Sequence, residues 1–164
     1  GSSESRYPER MKRRIALAAL AFVACAGPQP VKLTLEQRTV VDEVRRFLAG
    51  RVEAAVSAGV AEERIWVDPG IGFGKTVEHN LALLQRQREL LDLGAPLLVG
   101  WSRKSTLGAV TGRAVHERQA ASVSAALLAV QRGARVVRVH DVAATVDALA
   151  IWQAIENNSG IEQQ

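Results

Sequence analysis

Short apolar runs alternate with longer amphipathic stretches along this chain, and this alternation limits the fold more than any other feature of the sequence. Each short run is typical of a strand, and each is followed by apolar residues at helical spacings of three and four. The predicted strands cover 21–26, 65–67, 97–99 and 135–140, and the predicted helices cover 40–55, 78–91, 116–131 and 142–155. Strands that alternate with helices predict a parallel sheet with right-handed crossovers.

The length of the chain limits how much of such a fold it supplies. A complete (β/α)8 barrel takes about 250 residues, whereas this chain has 164 residues. The four predicted strand–helix units do not close a barrel, so two sheet edges and an apolar face stay uncovered. We therefore expect the chain to meet a missing half, or a second copy of itself, or to aggregate.

The composition excludes several classes of protein. The chain is 48% hydrophobic and 23% charged, as in an ordinary globular domain. Its single cysteine, Cys25, excludes an internal disulfide and a cysteine-rich zinc site. The net charge of +4 suits an anionic small ligand at least as well as a nucleic acid, and the aromatic content of 4% argues against a platform for stacking bases. We predict no nucleic-acid partner.

The stretch from Met11 to Gly27 imitates a secretory signal. Three basic residues at 12–14 precede a short apolar stretch, and Cys25 is placed as in a lipoprotein site. A secreted or lipid-anchored protein is therefore a minor alternative. We favour a helix that leads into the strand at 21–26, because the rest of the chain is typical of a cytoplasmic enzyme. No apolar run reaches the roughly 18–20 residues of a membrane span, so we predict a cytoplasmic protein without a membrane partner.

The first chemical motif follows the strand at 65–67 and runs from Asp68 to Thr76. Its glycines allow sharp turns and a close approach of the backbone to a ligand. The spacing from Gly70 to Gly74 is one residue too short for a nucleotide-triphosphate loop. A buried Asp68 could accept two hydrogen bonds from an amidine-like edge of a ligand. The alternative for Asp68 is a loop cap, which is the better interpretation of this motif by itself.

Two further motifs follow the next two strands. Gly100 to Ser105 brings two cations and two hydroxyls to a strand end, which suits a carboxylate or ring carbonyl. In the segment Arg138 to Asp141, strand alternation predicts that Arg138 and His140 point to the same side. A guanidinium there is suited to a heteroaromatic ring and to phosphate. The alternatives are a solvated loop for the first motif and a solvated edge strand for the second.

Together the three motifs resemble the dihydropteroate synthase family of pterin-binding TIM barrels. The resemblance rests on Asp68-Pro-Gly-x-Gly-Phe-Gly-Lys75 with Asn80-Leu81, on Gly100-x-Ser-Arg-Lys-Ser105, and on Arg138-Val-His-Asp-Val142. It covers 6–155 and implies an α/β fold of the (β/α)8 barrel type, of which the chain supplies about the last four units. Residues 1–5 are then a tag remnant or disordered start, and 156–164 form a flexible tail.

The resemblance implies a transferase of folate biosynthesis. The family condenses 6-hydroxymethyl-7,8-dihydropterin pyrophosphate with p-aminobenzoate, which yields 7,8-dihydropteroate and pyrophosphate, with Mg²⁺ assisting. Sulfonamides are expected to compete with p-aminobenzoate. By the same resemblance, we expect a homodimer formed through the helices at 116–131 and 142–155. Small and apolar residues are expected on their outer faces, namely Ala121, Ala125, Leu128 and Trp152.

The resemblance also implies roles for individual residues. The catalytic residues are Lys104, Arg138 and His140. The pterin contacts are Asp68 at the amino-pyrimidine edge, Lys104 at the ring carbonyl, Arg138 stacked along the ring, and Leu98 and Gly100 beneath it. The p-aminobenzoate contacts are Pro69, Phe73, Lys104 and Ser105. The pyrophosphate contacts are Arg138 and His140.

The chain departs from the family pattern in two places. The family's N-terminal half, with an asparagine that helps bind Mg²⁺ and with two mobile loops, has no counterpart here, so we expect the metal ligand outside this chain and little or no turnover by it. The run from Val23 to Gly27 also replaces a Met-His-Met-type segment. A non-catalytic pterin-binding homologue or partner half-barrel is therefore the alternative function.

Overall fold

The computed structural model describes the backbone of residues 33–159 and the side chains of residues 33–157. The predicted strand at 21–26, the signal-like stretch ending at Cys25 and the expected start at 1–5 lie outside the described residues. Within the described part, no helix is long and apolar enough to cross a membrane.

Helix α1, Leu35–Ser57, begins at a capping box. The Thr34 hydroxyl accepts a hydrogen bond from the Gln37 N–H at 3.2 Å, and the Gln37 side chain accepts one from the Thr34 N–H at 2.8 Å. These two bonds satisfy main-chain donors that the first turn leaves unpaired. Val41 and Leu48, two turns apart, are buried on the inner face. The helix predicted at 40–55 is confirmed, and it begins earlier because of the cap.

The single helix predicted at 78–91 is divided in two. Helix α2, Val77–Gln85, is capped by the Thr76 hydroxyl, and a 3₁₀ helix, Gln87–Leu93, follows it and ends at Gly94. Apolar character does not decide burial in this segment, since Leu81 and Leu91 are exposed. The polar residues Asn80 and Gln87 are buried instead, because their side chains bond main-chain groups of neighbouring segments.

The sheet is parallel, as predicted, but its strands are shorter than predicted. Strand β1, Leu98–Val99, pairs in parallel with strand β2, Val136–Val137, and Leu97 forms a parallel bridge with Val67. The run at 65–67 therefore contributes one bridge residue. Arg138 and His140 follow β2 rather than lying in it, so strand alternation does not place them.

The remaining helices follow the strands in the predicted order. A short helix after β1 leads through a 3₁₀ turn to a longer helix, and a last helix follows β2. They are α3, Ser105–Thr111; the turn Val115–Glu117; α4, Gln119–Gln131; and α5, Val142–Ser159. A further 3₁₀ turn, Glu62–Arg64, precedes the bridge residue Val67. The predicted start at 116 is corrected to Gln119, and α5 continues past the predicted end at 155.

The apolar core lies between the parallel strands and the helices. Its members include Val67, Leu83, Leu90, Leu97, Val99, Trp101, Ala125, Ala126 and Ala129. Helix α4 packs against β2, α3 and α5. The expectation that Ala125 lies on an outer face was wrong, since it is 5% exposed. Trp152 is half-buried and lines a groove with Arg88 and Gln131, so it is not the exposed ring that was expected.

Candidate functional site

A cleft opens where β1 and β2 end. Its volume is about 450 Å³, and it is lined by Gly100, Ser102, Arg103, Lys104, Val115, Arg138, Val139 and His140. The structure thus brings together Lys104, Arg138 and His140, the three residues for which the sequence predicts catalytic roles. They meet because the carboxyl ends of parallel strands lie at the same edge of the sheet.

Gly100 makes room for Arg138. Gly100 is buried, and a Cβ added to it would lie 2.9 Å from Nη2 of Arg138. The Arg138 main chain is held by a 2.9 Å hydrogen bond from its N–H to the Val99 carbonyl. The guanidinium therefore lies over the glycine backbone, in a position that any larger residue at 100 would disturb.

His140 is oriented by Ser102. The buried Ser102 Oγ accepts a hydrogen bond from the His140 N–H at 3.2 Å and lies 2.9 Å from Nδ1 of the ring. This contact engages Nδ1, so Nε2 is the ring nitrogen that a ligand can contact. Ser102 was predicted only as one of the two hydroxyls of its motif, without a role of its own. A small hydroxyl between Gly100 and Lys104 was the only local signal for it.

Lys104 links the second motif to the first. Its Nζ lies 4.0 Å from the centroid of the Phe73 ring, within the range of a cation–π contact. Its alkyl chain lies against Gly72, where an added Cβ would come within 2.8 Å of Lys104 Cδ. Gly72 also has a φ of 78°, which disfavours a side chain. Phe73 itself is 62% exposed.

Asn80 organises the glycine-rich loop from below. It is 1% exposed, and its Oδ1 accepts a hydrogen bond from the Gly72 N–H at 2.8 Å. Its Nδ2 donates to the Thr76 carbonyl at 2.8 Å and to the Thr106 hydroxyl at 3.0 Å. One buried amide therefore joins the loop that carries Gly72 to the helix that follows Lys104.

Asp68 is placed differently from the expectation. It is exposed rather than buried, and its Oδ1 accepts a 2.8 Å hydrogen bond from the Gly70 N–H, which is the loop cap considered as the alternative. It lines a second cavity, of about 300 Å³, with Phe47, Pro69 and Lys75 among its neighbours. The structure therefore does not bring Asp68 into the cleft that holds Lys104 and Arg138.

Lys75 supports the loop between Asp68 and α2. Its ammonium donates to the carbonyls of Gly70, at 3.0 Å, and Phe73, at 3.1 Å. Partial burial lowers the pKa of Lys75, and the negative charge of Asp68 opposes that shift. This lysine donates its hydrogen bonds to its own loop, whereas the lysine of a nucleotide-triphosphate loop contacts the phosphates.

Three other predicted contacts lie outside the cleft of Lys104, Arg138 and His140. Pro69 is buried, Leu98 in β1 is half-buried, and Ser105 is the exposed first residue of α3. None of these three lines the cleft of Lys104, Arg138 and His140. Their predicted roles toward a ligand stay predictions.

Arg103 forms the wall of the cleft and is neutralised there. Its Nη2 lies 2.9 Å and its Nε 3.3 Å from the two carboxylate oxygens of Asp141. This hydrogen-bonded ion pair lowers the pKa of Asp141 and raises the pKa of Arg103. The backbone of Arg103 has a φ of 59°, which is uncommon for a residue with a side chain. The positive charges left for a ligand in the cleft are those of Lys104 and Arg138.

The donor set of the cleft favours an anion. Among the described residues that line it, the cations outnumber the carboxylates, since Asp141 lies behind Arg103 and the lining contains no acidic residue. Within the described residues, no group of three or more His, Cys, Asp or Glu residues converges to hold a metal ion.

Comparisons with known proteins agree with this architecture. A family model described as pterin binding enzyme matches residues 3–140. The dihydropteroate synthase of Neisseria meningitidis serogroup B is 48% identical over 135 residues, which are 80% of this chain and 47% of the relative. The chain spans about half the length of the curated relatives it matches.

Two solved structures are similar in fold as well as sequence. Dihydropteroate synthase from Stenotrophomonas maltophilia, with imidazole bound in its active site, has a TM-score of 0.71 and 60% identity over 71% of this chain and 44% of that chain. The Xanthomonas albilineans enzyme in complex with 7,8-dihydropteroate has a TM-score of 0.72 and 50% identity over 79% of this chain and 48% of that chain.

The parallel strands, their following helices and the cleft at the strand ends are therefore part of a (β/α)8 barrel, which confirms the predicted fold class. The family match covers most of the chain. The chain belongs to the family of pterin-binding enzymes.

Proposed function

We propose that this chain carries the pterin and pyrophosphate site of a dihydropteroate synthase. The observation that supports the proposal most strongly is the meeting of Lys104, Arg138 and His140 in one cleft at the strand ends. The solved relative from Xanthomonas albilineans that binds 7,8-dihydropteroate supports a pterin as the ligand. The substrates are 6-hydroxymethyl-7,8-dihydropterin pyrophosphate and p-aminobenzoate.

Arg138 and His140 bind the pyrophosphate in this proposal. The Arg138 guanidinium offers paired N–H donors that match phosphate oxygens, and it lies open to solvent beside Gly100. Because Ser102 engages Nδ1 of His140, Nε2 is the atom that contacts the anion. Arg138 also presents its flat face to the pterin ring.

Lys104 lies between the two substrates. Its ammonium donates to the pterin carbonyl, and p-aminobenzoate enters beside Phe73, the ring that Lys104 contacts. Phe73 and Pro69 form the wall of that pocket, and Ser105 meets the carboxylate. Asp68 lines the second cavity and not this cleft. In this proposal the amino-pyrimidine edge of the pterin reaches it, and Oδ2, the oxygen that the Gly70 hydrogen bond does not use, accepts from the ligand.

The chemistry is a displacement at the pterin methylene carbon. The amine nitrogen of p-aminobenzoate forms a bond to that carbon, the C–O bond to pyrophosphate breaks, and the nitrogen loses a proton. Negative charge grows on the leaving oxygens as the bond breaks, and the cations already placed at Arg138 and Lys104 favour that transition state. No covalent bond to the protein is needed.

Three finer proposals accompany the activity. Mg²⁺ binds through ligands outside the described residues, and no step above depends on it. Sulfonamides compete with p-aminobenzoate because both present an anionic or polar group opposite an aromatic amine. A homodimer forms through the outer face of α5, where Val146 is 57% and Ile151 67% exposed. Ile151→Glu should weaken a dimer measured by sedimentation, and an unchanged dimer would refute this interface.

Binding and turnover are measured separately to test the function. Calorimetry with a dihydropterin pyrophosphate should give binding to the chain, and Asp68→Ala should weaken it by about 1.5–3 kcal/mol, the cost of a lost charge-assisted hydrogen bond. Undiminished affinity of that variant would contradict the role of Asp68. Release of pyrophosphate with p-aminobenzoate present tests the reaction, and pterin binding without any release favours the non-catalytic homologue.

A further inference from the structure

Arg118, on the segment that leads into α4, is a cation that does not line the cleft. Arg118 directs its guanidinium at main-chain carbonyls rather than toward the cleft. Its Nη1 donates to the carbonyls of Arg103, at 3.1 Å, and Lys104, at 3.3 Å, and its Nε donates to the carbonyl of Arg113 at 2.9 Å. One planar side chain thus joins the two residues before α3 to Arg113, in the connection between α3 and α4.

We propose that Arg118 is a positioning residue that holds Lys104 in the direction of the ligand, and that the missing side chain at Gly108 makes room for its guanidinium. This inference rests on the function proposed above, because it concerns the site in which Lys104 acts. Arg118 touches no substrate in this account. It acts through the backbone of Arg103 and Lys104.

Gly108 leaves the space that the Arg118 guanidinium occupies. It lies in the middle of α3, where a glycine is a poor helix former. A Cβ added at this position would overlap the guanidinium, with Cζ of Arg118 at 2.5 Å and Nε at 2.7 Å. The absence of a side chain at 108 therefore has a local physical reason, which is the space that Arg118 occupies.

The contacts of Arg118 extend along α3 and are not confined to one of its ends. Its Nη1 donates to the two carbonyls before the helix, its guanidinium lies against Gly108 in the middle, and its Nε donates to the carbonyl of Arg113 after the helix. Arg118 therefore holds these main-chain groups in place through its hydrogen bonds.

The segment that Arg118 holds is the strained one. Arg103 has a φ of 59°, and such a conformation persists only where surrounding contacts determine it. Ser122 holds the same residue from the other side, because its Oγ accepts from the Arg103 N–H at 2.9 Å and donates to the Arg118 carbonyl at 2.7 Å. Arg118 and Ser122 together fix the turn from which the Lys104 side chain extends.

Two variants that act on the same contact test the proposal. Arg118→Met removes the donors and keeps much of the volume. Gly108→Ala keeps Arg118 but puts a methyl group into the space of its guanidinium. Because alanine is a better helix former than glycine, this change should not destabilise α3 by itself. Each should weaken dihydropterin pyrophosphate binding to the 164-residue chain about tenfold, with the backbone amides of Arg103 and Lys104 exchanging faster with solvent. Arg132→Met is the matched control, since the Arg132 side chain donates to a main-chain carbonyl, that of Leu128, away from the cleft. This variant should keep the wild-type affinity.

The double variant separates positioning from general destabilisation. Once Arg118 is replaced by alanine, the methyl of Gly108→Ala has room, so the second change should cost no further affinity. Additive losses, or losses of thermal stability without a change in affinity, would overturn the proposal. If the wild-type chain binds no pterin, the proposed function is wrong. The positioning role of Arg118 is then tested by amide exchange alone, and unchanged exchange of Arg103 and Lys104 in Arg118→Met would refute it.

Discussion

Lys104 lies directly against the backbone of Gly72, close enough that a Cβ on the glycine would meet Lys104 Cδ at 2.8 Å. This contact joins two motifs that are about thirty residues apart in sequence and follow different strands. The glycine-rich loop thus provides a surface for the Lys104 side chain. This contact accounts for the glycine at position 72 without a phosphate bound to the loop.

Gly72→Ala should therefore weaken ligand binding beyond its effect on folding. The φ of 78° makes alanine costly by roughly 1–2 kcal/mol in stability. The added methyl also displaces Lys104, so we expect the affinity for dihydropterin pyrophosphate to fall at least about fivefold, or ~1 kcal/mol. Urea unfolding and calorimetry measure the two effects.

Gly74→Ala is the matched control for that prediction. Gly74 has a similar φ of 60°, but nothing lies within 4 Å of the position of its Cβ. It should lose similar stability while keeping the wild-type affinity. Equal losses of affinity in the two variants would show that the Gly72–Lys104 contact is irrelevant to binding.

Gly100→Ala should displace Arg138 at little cost in stability. No positive φ strains alanine at this position, and the atom in its way is the end of a flexible side chain. We expect a loss of stability of no more than about 1 kcal/mol and pyrophosphate affinity reduced severalfold. In an Arg138→Ala background the same change should have no further effect. Gly50→Ala, with open space around its Cβ, is the control.

Ser102→Ala tests the orientation of His140. The variant leaves the His140 N–H without its partner and frees the ring, at a cost of about 1 kcal/mol in stability. Nitrogen NMR of labelled histidine should show a changed balance of the two ring tautomers, with weaker pyrophosphate binding. Ser124→Ala, which removes an exposed hydroxyl on α4, should change neither. An unchanged His140 spectrum would contradict the assigned contact.

The Arg103–Asp141 pair gives a dependence of stability on acid. Because the pKa of Asp141 is lowered in the folded protein, its contribution is present above the ordinary carboxyl pKa and is lost as the pH falls through the lowered value. The difference in unfolding free energy between wild type and Asp141→Asn should therefore be largest near neutral pH and shrink below about pH 4. A difference that stays constant into acid would disprove this, and Arg103→Met should abolish it.

The helices were largely predictable, and the described strands were predicted at the right places but too long. Periodicity located α1, α4 and α5, because each packs one face on a neighbouring element: α1 on α2, α4 on β2, and α5 on α4. The apolar run at 135–140 predicted a long strand, but only Val136 and Val137 pair with β1. Apolar character records burial, whereas a strand also requires a hydrogen-bonding neighbour, which the sequence of one segment does not reveal.

The site was predictable as far as parallel topology carries it. Strand ends at one edge of a sheet meet, so Lys104, Arg138 and His140 were expected together and lie together. Asp68 was expected to be buried, but the tight turn to Gly70 takes up its carboxylate and leaves it exposed. Arg118 and Ser122 had no signal in the sequence, because their partners are main-chain groups of a distant turn.

The central claim is that the cleft of Lys104 and Arg138 binds the anionic pterin substrate. Titration calorimetry of dihydropterin pyrophosphate into wild type, Lys104→Met and Arg138→Met tests it most directly. We predict binding to wild type and a loss of about 1.5–3 kcal/mol, or roughly ten- to a hundredfold, in each variant, because each removes a charged hydrogen-bond donor. Wild-type affinity in both variants, or no binding by the wild-type chain, would contradict the account.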